Sequence, residues 1–143
     1  MGDIAEAQDR LEEAKCYYEQ GLTLSKALEG ETGTVESRRD LSVSYIKLGD
    51  IAKAQGRLEE AKGYYEQVLA LRMALAGETG TVQAYDDLGV AYIKLWQTAD
   101  PGSGEEREYL SQVVRVYRML AGACPQVKKY QNTLELLEKY LGE

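Results

Sequence analysis

The sequence predicts an all-α fold, a solenoid built from antiparallel helix pairs. Residues 2–48 return as residues 49–95, with 33 of 47 positions identical. Within each copy apolar residues recur at spacings of three and four, which is the period of one helix face. Only two prolines interrupt the 143 residues. A repeat of this length is typical of arrays in which each unit buries its apolar face against its neighbours.

Each repeat is predicted to form two helices joined by a turn at a glycine. In the second copy, Gly56 separates two apolar stripes. Thr34 and Thr81 stand where a side-chain oxygen can accept a hydrogen bond from the first turn of a helix. Gly77 is expected to end the second helix, and Gly49 to let the paired helices approach closely. The stripes are Leu41, Tyr45, Leu48 and Ala52, then Leu58, Ala61, Tyr65, Val68 and Leu75.

After residue 95 the repeat diverges. Trp96 replaces the small Gly49, and Pro101 lies in a predicted turn. We expect a single repeat domain over residues 1–143. It comprises a partial repeat 1–34, a repeat 35–81, a diverged repeat 82–125 and a terminal capping helix 126–143. The predicted helices are 2–8, 10–29, 35–54, 57–76, 82–97, 104–122 and 126–141.

A family resemblance rests on eight residues of the second copy, namely Tyr45, Leu48, Gly49, Ala52, Gly56, Leu58, Ala61 and Tyr65. They resemble the tetratricopeptide repeat pattern. The period of 47 exceeds the family's usual length of about 34 residues, so the chain is closer to long-helix members such as those of kinesin light chains. The resemblance implies a right-handed superhelix and a non-catalytic scaffold whose concave groove binds a protein or peptide.

The resemblance also implies which residues face that groove, because the first helix of each pair lines it. Relatives that clamp a C-terminal carboxylate place Lys and Asn there, whereas this chain has Ile and Asp or Gln. A mixed apolar groove is therefore expected. The candidates are Val43, Ile46, Asp50 and Lys53 in one helix, and Val90, Ile93 and Gln97 in the next.

An alternative function is self-association as a fragment of a longer repeat protein. In the repeat register Met1 stands where Leu48 stands one copy later. The helix over residues 10–29 would then lack most of its partner, leaving Tyr18, Leu22 and Leu28 uncovered. An exposed apolar patch of this kind is an interaction surface, and a homodimer through the N-terminal end would bury it. The neighbouring Tyr17 lies beside the apolar stripe and is expected to pack.

Residues for catalysis, metals or cofactors are not evident in the sequence. It contains no His, and its two cysteines lack the further soft ligands that a metal site needs. Pairs of glutamates recur at the start of each second helix, where they complement the helix dipole. We therefore expect no enzyme activity, no metal and no cofactor.

Charge and hydropathy bear on the partners and the compartment. The net charge of −7 argues against nucleic acid. No apolar run approaches the roughly 18 residues that span a membrane, and the N-terminus lacks a signal-peptide pattern. Two cysteines far apart in sequence suit a reducing compartment. The expected setting is the cytoplasm, with no membrane partner.

Overall fold

The computed structural model describes residues 2–142, except the side chains of residues 2–6, 25 and 28–32. All regular structure in this part of the chain is helical, which confirms the predicted all-α class. The chain divides into two compact units, Met1–Leu71 and Arg72–Glu143. The helices are α1 (Gly2–Thr32), α2 (Val35–Ala54), α3 (Leu58–Thr79), α4 (Val82–Thr98), α5 (Gly104–Ala123) and α6 (Lys128–Leu141).

In the first unit α1 packs against α2, and α2 turns back into α3. The Thr34 side chain accepts a hydrogen bond from the Ser37 backbone N–H at 3.0 Å, which confirms it as the cap of α2. Gly56 has a φ of 75°, a left-handed conformation that side chains with a Cβ rarely adopt. The predicted turn between the two helices is therefore confirmed, and glycine is what permits it.

The close approach of α2 to α3 occurs at Gly49. A Cβ at this position would lie 2.5 Å from Cε1 of the Tyr65 ring. Tyr65 itself is completely buried. The predicted role of Gly49 is thus confirmed, because any larger residue would occupy the space that the ring fills.

The break predicted between residues 2–8 and 10–29 is wrong. α1 is one continuous helix of 31 residues. Asp9 stands in the first copy where Gly56 stands in the second. Asp adopts the left-handed conformation that the turn requires less readily than Gly, which favours a helix that continues through Asp9.

In the second unit α4 packs against α5, and α5 against α6. Thr81 caps α4 by accepting from the Ala84 backbone N–H at 3.1 Å. The close approach is made at Gly89, where an added Cβ would lie 3.1 Å from the ring of Tyr117 and 3.3 Å from Val116. The sequence pattern predicts only that Trp96, at the repeat position of Gly49, cannot allow the two helices to approach closely.

The last helix is held to α4 by a buried aromatic residue. The Tyr130 hydroxyl donates to Oδ2 of Asp86 at 2.9 Å. The Tyr130 ring also packs edge-on against Tyr117, with centroids 6.3 Å apart. Burial and the hydrogen bond to Asp86 together raise the pKa of Tyr130 to about 12. The hydroxyl therefore stays protonated and able to donate at neutral pH.

The predicted stop of α3 at Gly77 is wrong. α3 continues to Thr79, and the left-handed residue is Gly80, with a φ of 63°. Gly77 lies within the helix, and an added Cβ there would meet nothing within 4 Å. Gly77 and Gly80 both follow the last apolar residues of the helix, so the sequence pattern alone does not show which of them ends it.

Replacing Gly49 by Ala should lower the free energy of unfolding by about 1–3 kcal/mol, the usual cost of overpacking. The added methyl group must displace the Tyr65 ring, which is completely buried. Urea denaturation followed by circular dichroism measures the change. Gly77→Ala is the matched control, since it adds the same methyl group to a helical glycine in open space.

The control should be neutral or stabilising by about 0.5–1 kcal/mol, because Ala favours a helix over Gly. Equal effects of the two substitutions would contradict the close approach at Gly49.

Candidate interaction surfaces

The predicted groove residues of α2 lie on one face of that helix, at spacings of three and four. Val43 is 43 % exposed and Lys53 is exposed, whereas Ile46 is half-buried. Tyr45 and Leu48, on the neighbouring face of the helix, are buried in the unit. The α2 face therefore offers apolar surface that is only partly used for packing within the first unit.

Asp50, the fourth residue of this face, is engaged within the unit. Its Oδ1 accepts a hydrogen bond from the Tyr65 hydroxyl at 2.5 Å. Burial, reinforced by this hydrogen bond and by the Asp50 charge, holds the pKa of Tyr65 well above its usual value. Asp50 is half-buried, and its carboxylate stabilises the packing of α2 on α3.

The predicted residues of α4 belong to the second unit. Val90 and Ile93 are half-buried, and Gln97 is exposed. The neighbouring Trp96 packs edge-on against Tyr140 of α6, with ring centroids 5.5 Å apart. The α4 face thus repeats the Val and Ile of the α2 face, but with an amide in place of the carboxylate.

The residues predicted for self-association lie on α1. Tyr18 and Leu22 are half-buried, and the side chain of Leu28 lies outside the described residues. In the second copy the position of Tyr18 is held by Tyr65, whose exposed fraction is 0 %. The same residue type at the same repeat position is therefore covered in α3 and partly open in α1.

Two exposed apolar side chains of α1 were not predicted. Tyr17 is 73 % exposed and Leu24 is 67 % exposed, and their separation of seven residues places them on one helix face. The expectation that Tyr17 would pack is wrong, although its ring touches that of Tyr18 at 5.6 Å. Adjacent residues of a helix point in directions about 100° apart, so Tyr17 and Tyr18 cannot both face the same neighbouring helix. The Tyr17–Tyr18 doublet was therefore the signal in the sequence that one of the two rings is exposed.

The chemistry available elsewhere is limited. Cys16 is exposed, Cys124 is half-buried, and both are free thiols. Within the described part of the chain, no group of three or more His, Cys, Asp or Glu side chains could hold a metal ion. Among the helices of the same residues, none combines the length and the apolarity needed to cross a membrane.

The class of protein defined by these features is a helical-repeat protein with apolar faces on its paired helices. The sequence model described as tetratricopeptide repeat matches residues 1–28 and 42–72. Over these residues the chain is similar to the tetratricopeptide repeat family, as the sequence pattern predicted. Repeats of this family generally mediate protein–protein interactions and are generally non-catalytic.

Other comparisons add little. A search of the curated proteins finds no match. Among solved structures, the chain is similar to the crystal structure of BtubC (BKLC) from P. vanneervenii, at 18 % sequence identity and a TM-score of 0.40. The match covers 94 % of this chain and 59 % of that one. At this TM-score the similarity carries no argument about function.

Replacing Tyr65 by Phe should lower the free energy of unfolding by about 1.5–3 kcal/mol at neutral pH, the usual range for a hydrogen bond to a charged group. The raised pKa of Tyr65 means that the folded state favours the protonated phenol. The stabilisation by the Tyr65 hydroxyl is therefore complete below a pH of about 10, the pKa of Tyr in the unfolded chain. It is lost as the pH rises through the higher pKa that Tyr65 has in the folded chain.

The difference in stability between the wild type and Tyr65→Phe should accordingly shrink above pH 10 in urea denaturation series. Tyr17→Phe removes the same atom from an exposed ring and is the control, with no change expected at any pH. A Tyr65→Phe deficit that persists undiminished at high pH would contradict the hydrogen bond to Asp50.

Proposed function

We propose that this chain is a protein-binding module that takes a peptide or protein partner on the exposed faces of α2 and α4. In repeats of this kind the first helices of successive pairs carry the binding groove. The groove residues proposed here are Val43, Ile46, Asp50 and Lys53 of α2, together with Val90, Ile93 and Gln97 of α4.

The observation that carries the proposal is an apolar face that packing within the unit does not consume. Val43 is 43 % exposed on the same helix that buries Leu48 to 1 %. Val43 and Ile46 recur one repeat later as Val90 and Ile93, although several other residues of this helix differ between the two copies. Apolar residues that stay partly open at the same position of both repeats support the use of this face as a contact surface.

The charges of the α2 face suggest the chemistry of the partner. Lys47 and Lys53 are exposed beside Val43 and Ile46, as is Asp40 three residues before Val43. The carboxylate of Asp50 accepts the hydrogen bond from Tyr65. An apolar stripe flanked by lysines favours a segment that carries both apolar and acidic residues. We propose an amphipathic acidic peptide, and no nucleic acid, as the ligand of this face.

The module is proposed to be non-catalytic and to require no cofactor. A recognition surface of apolar and lysine side chains binds a partner without any chemical step. We further propose a reducing, cytoplasmic setting, in which Cys16 and Cys124 stay as thiols.

Self-association through α1 is a second candidate, and a specific observation favours it. Tyr18 and Leu22 are half-buried, and Tyr17 and Leu24 beside them are largely exposed. A second copy that covers this face would bury apolar side chains that are otherwise open to water, at a gain of about 25 cal/mol per Å².

Replacing Ile46 and Ile93 together by Asp should weaken binding of the partner at least tenfold, because two charges would enter an apolar contact. The probe is an amphipathic acidic peptide selected from a displayed library against the wild-type chain and measured by calorimetry. The free energy of unfolding, measured by thermal denaturation, should change by no more than about 1 kcal/mol, since both positions are only partly buried.

The matched control is the double variant Met73→Asp and Met119→Asp. These residues are 50 % and 46 % exposed on α3 and α5, the second helices of their pairs. The control should retain the affinity. Loss of stability in the Ile46→Asp and Ile93→Asp variant would identify both as core residues, and equal weakening by the control would place the site elsewhere.

A further inference from the structure

A cleft in the first unit is lined by residues of α1, α2 and α3. Its volume is about 400 Å³, which is within the usual range for sites that bind small ligands. α1 contributes Lys26, and α2 contributes the buried Tyr45. The remaining lining residues belong to α3, and they are Glu59, Glu60, Gly63, Tyr64 and Gln67.

Two aromatic rings form the apolar part of this cleft. The centroids of the Tyr45 and Tyr64 rings are 6.3 Å apart, and the ring planes are inclined by 40°. Tyr64 is half-buried, so part of its surface is open to the cleft. The face of an aromatic ring attracts cations through its quadrupole. The two rings therefore make this cleft suitable for a positively charged group.

The chain itself places a cation on one of these rings. The Nζ atom of Lys26 lies over the Tyr45 ring, 5.6 Å from its centroid. This distance is within the range of about 6 Å over which a ring attracts an ammonium group. Lys26 is exposed, so its ammonium remains hydrated and the attraction is weak. The contact shows which chemistry the ring accepts, and a cation that binds the ring more strongly would displace Lys26.

Carboxylates dominate the electrostatic surroundings of the Tyr64 ring. Burial, followed by the charges of Glu60 and Glu19, raises the pKa of Tyr64, whereas the charge of Lys15 lowers it. Glu60 is paired with Lys15 at 3.3 Å and with Arg57 at 3.8 Å. The phenol of Tyr64 is therefore neutral at physiological pH, and the charges around it favour a cation over an anion.

The open space in the cleft depends on Gly63. A Cβ added to this residue would meet nothing within 4 Å, and in the first copy the same position is held by Cys16. The packing of α3 therefore does not require a glycine here, although glycine lowers helix stability. The effect of Gly63 is to leave unfilled the part of the cleft that a side chain would occupy.

We propose that this cleft binds a quaternary ammonium group, which lies against the Tyr45 and Tyr64 rings and displaces the Lys26 ammonium. The methyl groups of such a cation weaken its hydration, so it leaves water at a lower cost than the primary ammonium of a lysine. Aromatic faces are the usual recognition elements for this group. It occurs in trimethylated lysine side chains of proteins and in choline compounds.

This site is separate from the groove proposed on α2. Val43 of the groove and Tyr45 of the cleft are two residues apart, and side chains two apart on a helix point in nearly opposite directions. The ammonium site therefore goes beyond the proposed function and does not rest on it.

The test is a titration followed by the NMR signals of the tyrosine rings. Choline and N-acetyl-trimethyllysine amide should both produce saturable shifts, and the one that binds more tightly identifies the source of the group. The neutral alcohol 3,3-dimethylbutan-1-ol, in which carbon replaces the nitrogen of choline, should bind about fivefold or more weakly than choline.

Substitutions at Gly63 and Tyr64 locate the site. Gly63→Leu should weaken choline binding about tenfold or more, because the side chain fills the cleft. Gly77→Leu is the matched control, since it changes another helical glycine in open space outside the cleft. Tyr64→Leu removes one of the two rings and should weaken binding, whereas Tyr64→Phe keeps the ring and should retain the affinity. Circular dichroism establishes that each variant is folded.

A substitution at Lys26 tests the displacement. Lys26→Ala should strengthen choline binding about two- to fivefold, because it removes the ammonium that competes for the Tyr45 ring. Lys128→Ala removes the same charge from the second unit and should leave the affinity unchanged.

Three results would overturn the proposal. The first is the absence of saturable shifts with both cations. The second is equal affinity for choline and its neutral analogue, since the cleft would then select for shape and not for charge. The third is equal weakening by Gly63→Leu and Gly77→Leu, or no weakening by either, which would place choline outside the cleft. Selective loss of choline binding in Gly63→Leu and Tyr64→Leu supports the proposal.

Discussion

The packing of α2 on α3 depends on the absence of a side chain at Gly49. The Tyr65 ring occupies the space that a Cβ would need, and its burial removes the phenol from water. A buried hydroxyl requires a hydrogen-bonding partner, and Asp50 supplies one from the adjacent position. Gly49, Asp50 and Tyr65 therefore act together. The glycine allows the ring to approach, and the carboxylate compensates for the desolvation of the Tyr65 hydroxyl.

The second unit satisfies the same constraint at a different point. Trp96 occupies the repeat position of Gly49, and its indole contacts Tyr140 of the last helix. The close approach occurs instead at Gly89, against Tyr117. Gly89 precedes Trp96 by seven residues, or two helical turns, and so lies on the same face of α4. A repeat can thus lose its small residue at one level and regain the close contact at another.

The proposed interaction surface illustrates which properties of a site a sequence contains. The period of the apolar stripe placed Ile46 and Ile93 beside the core, and both are half-buried. The hydrogen bond that engages Asp50 was not predictable from that period, because its partner lies 15 residues further on and across a turn. The exposure of Tyr17 was equally hidden, since burial depends on which helix packs on α1 and not on the residue type.

The sequence by itself determined the helical class, the repeat period, the caps at Thr34 and Thr81 and the turn at Gly56. These features depend on local backbone preferences and on side chains within a few residues of each other. The tertiary structure decided that α1 continues through Asp9, that α3 continues past Gly77 to Gly80, and that Gly89 makes the close contact in the second unit. It also decided that Tyr18 is half open while Tyr65 is buried. Two copies of almost the same sequence differ in this way because burial is a property of the neighbouring helices, which the local sequence does not specify.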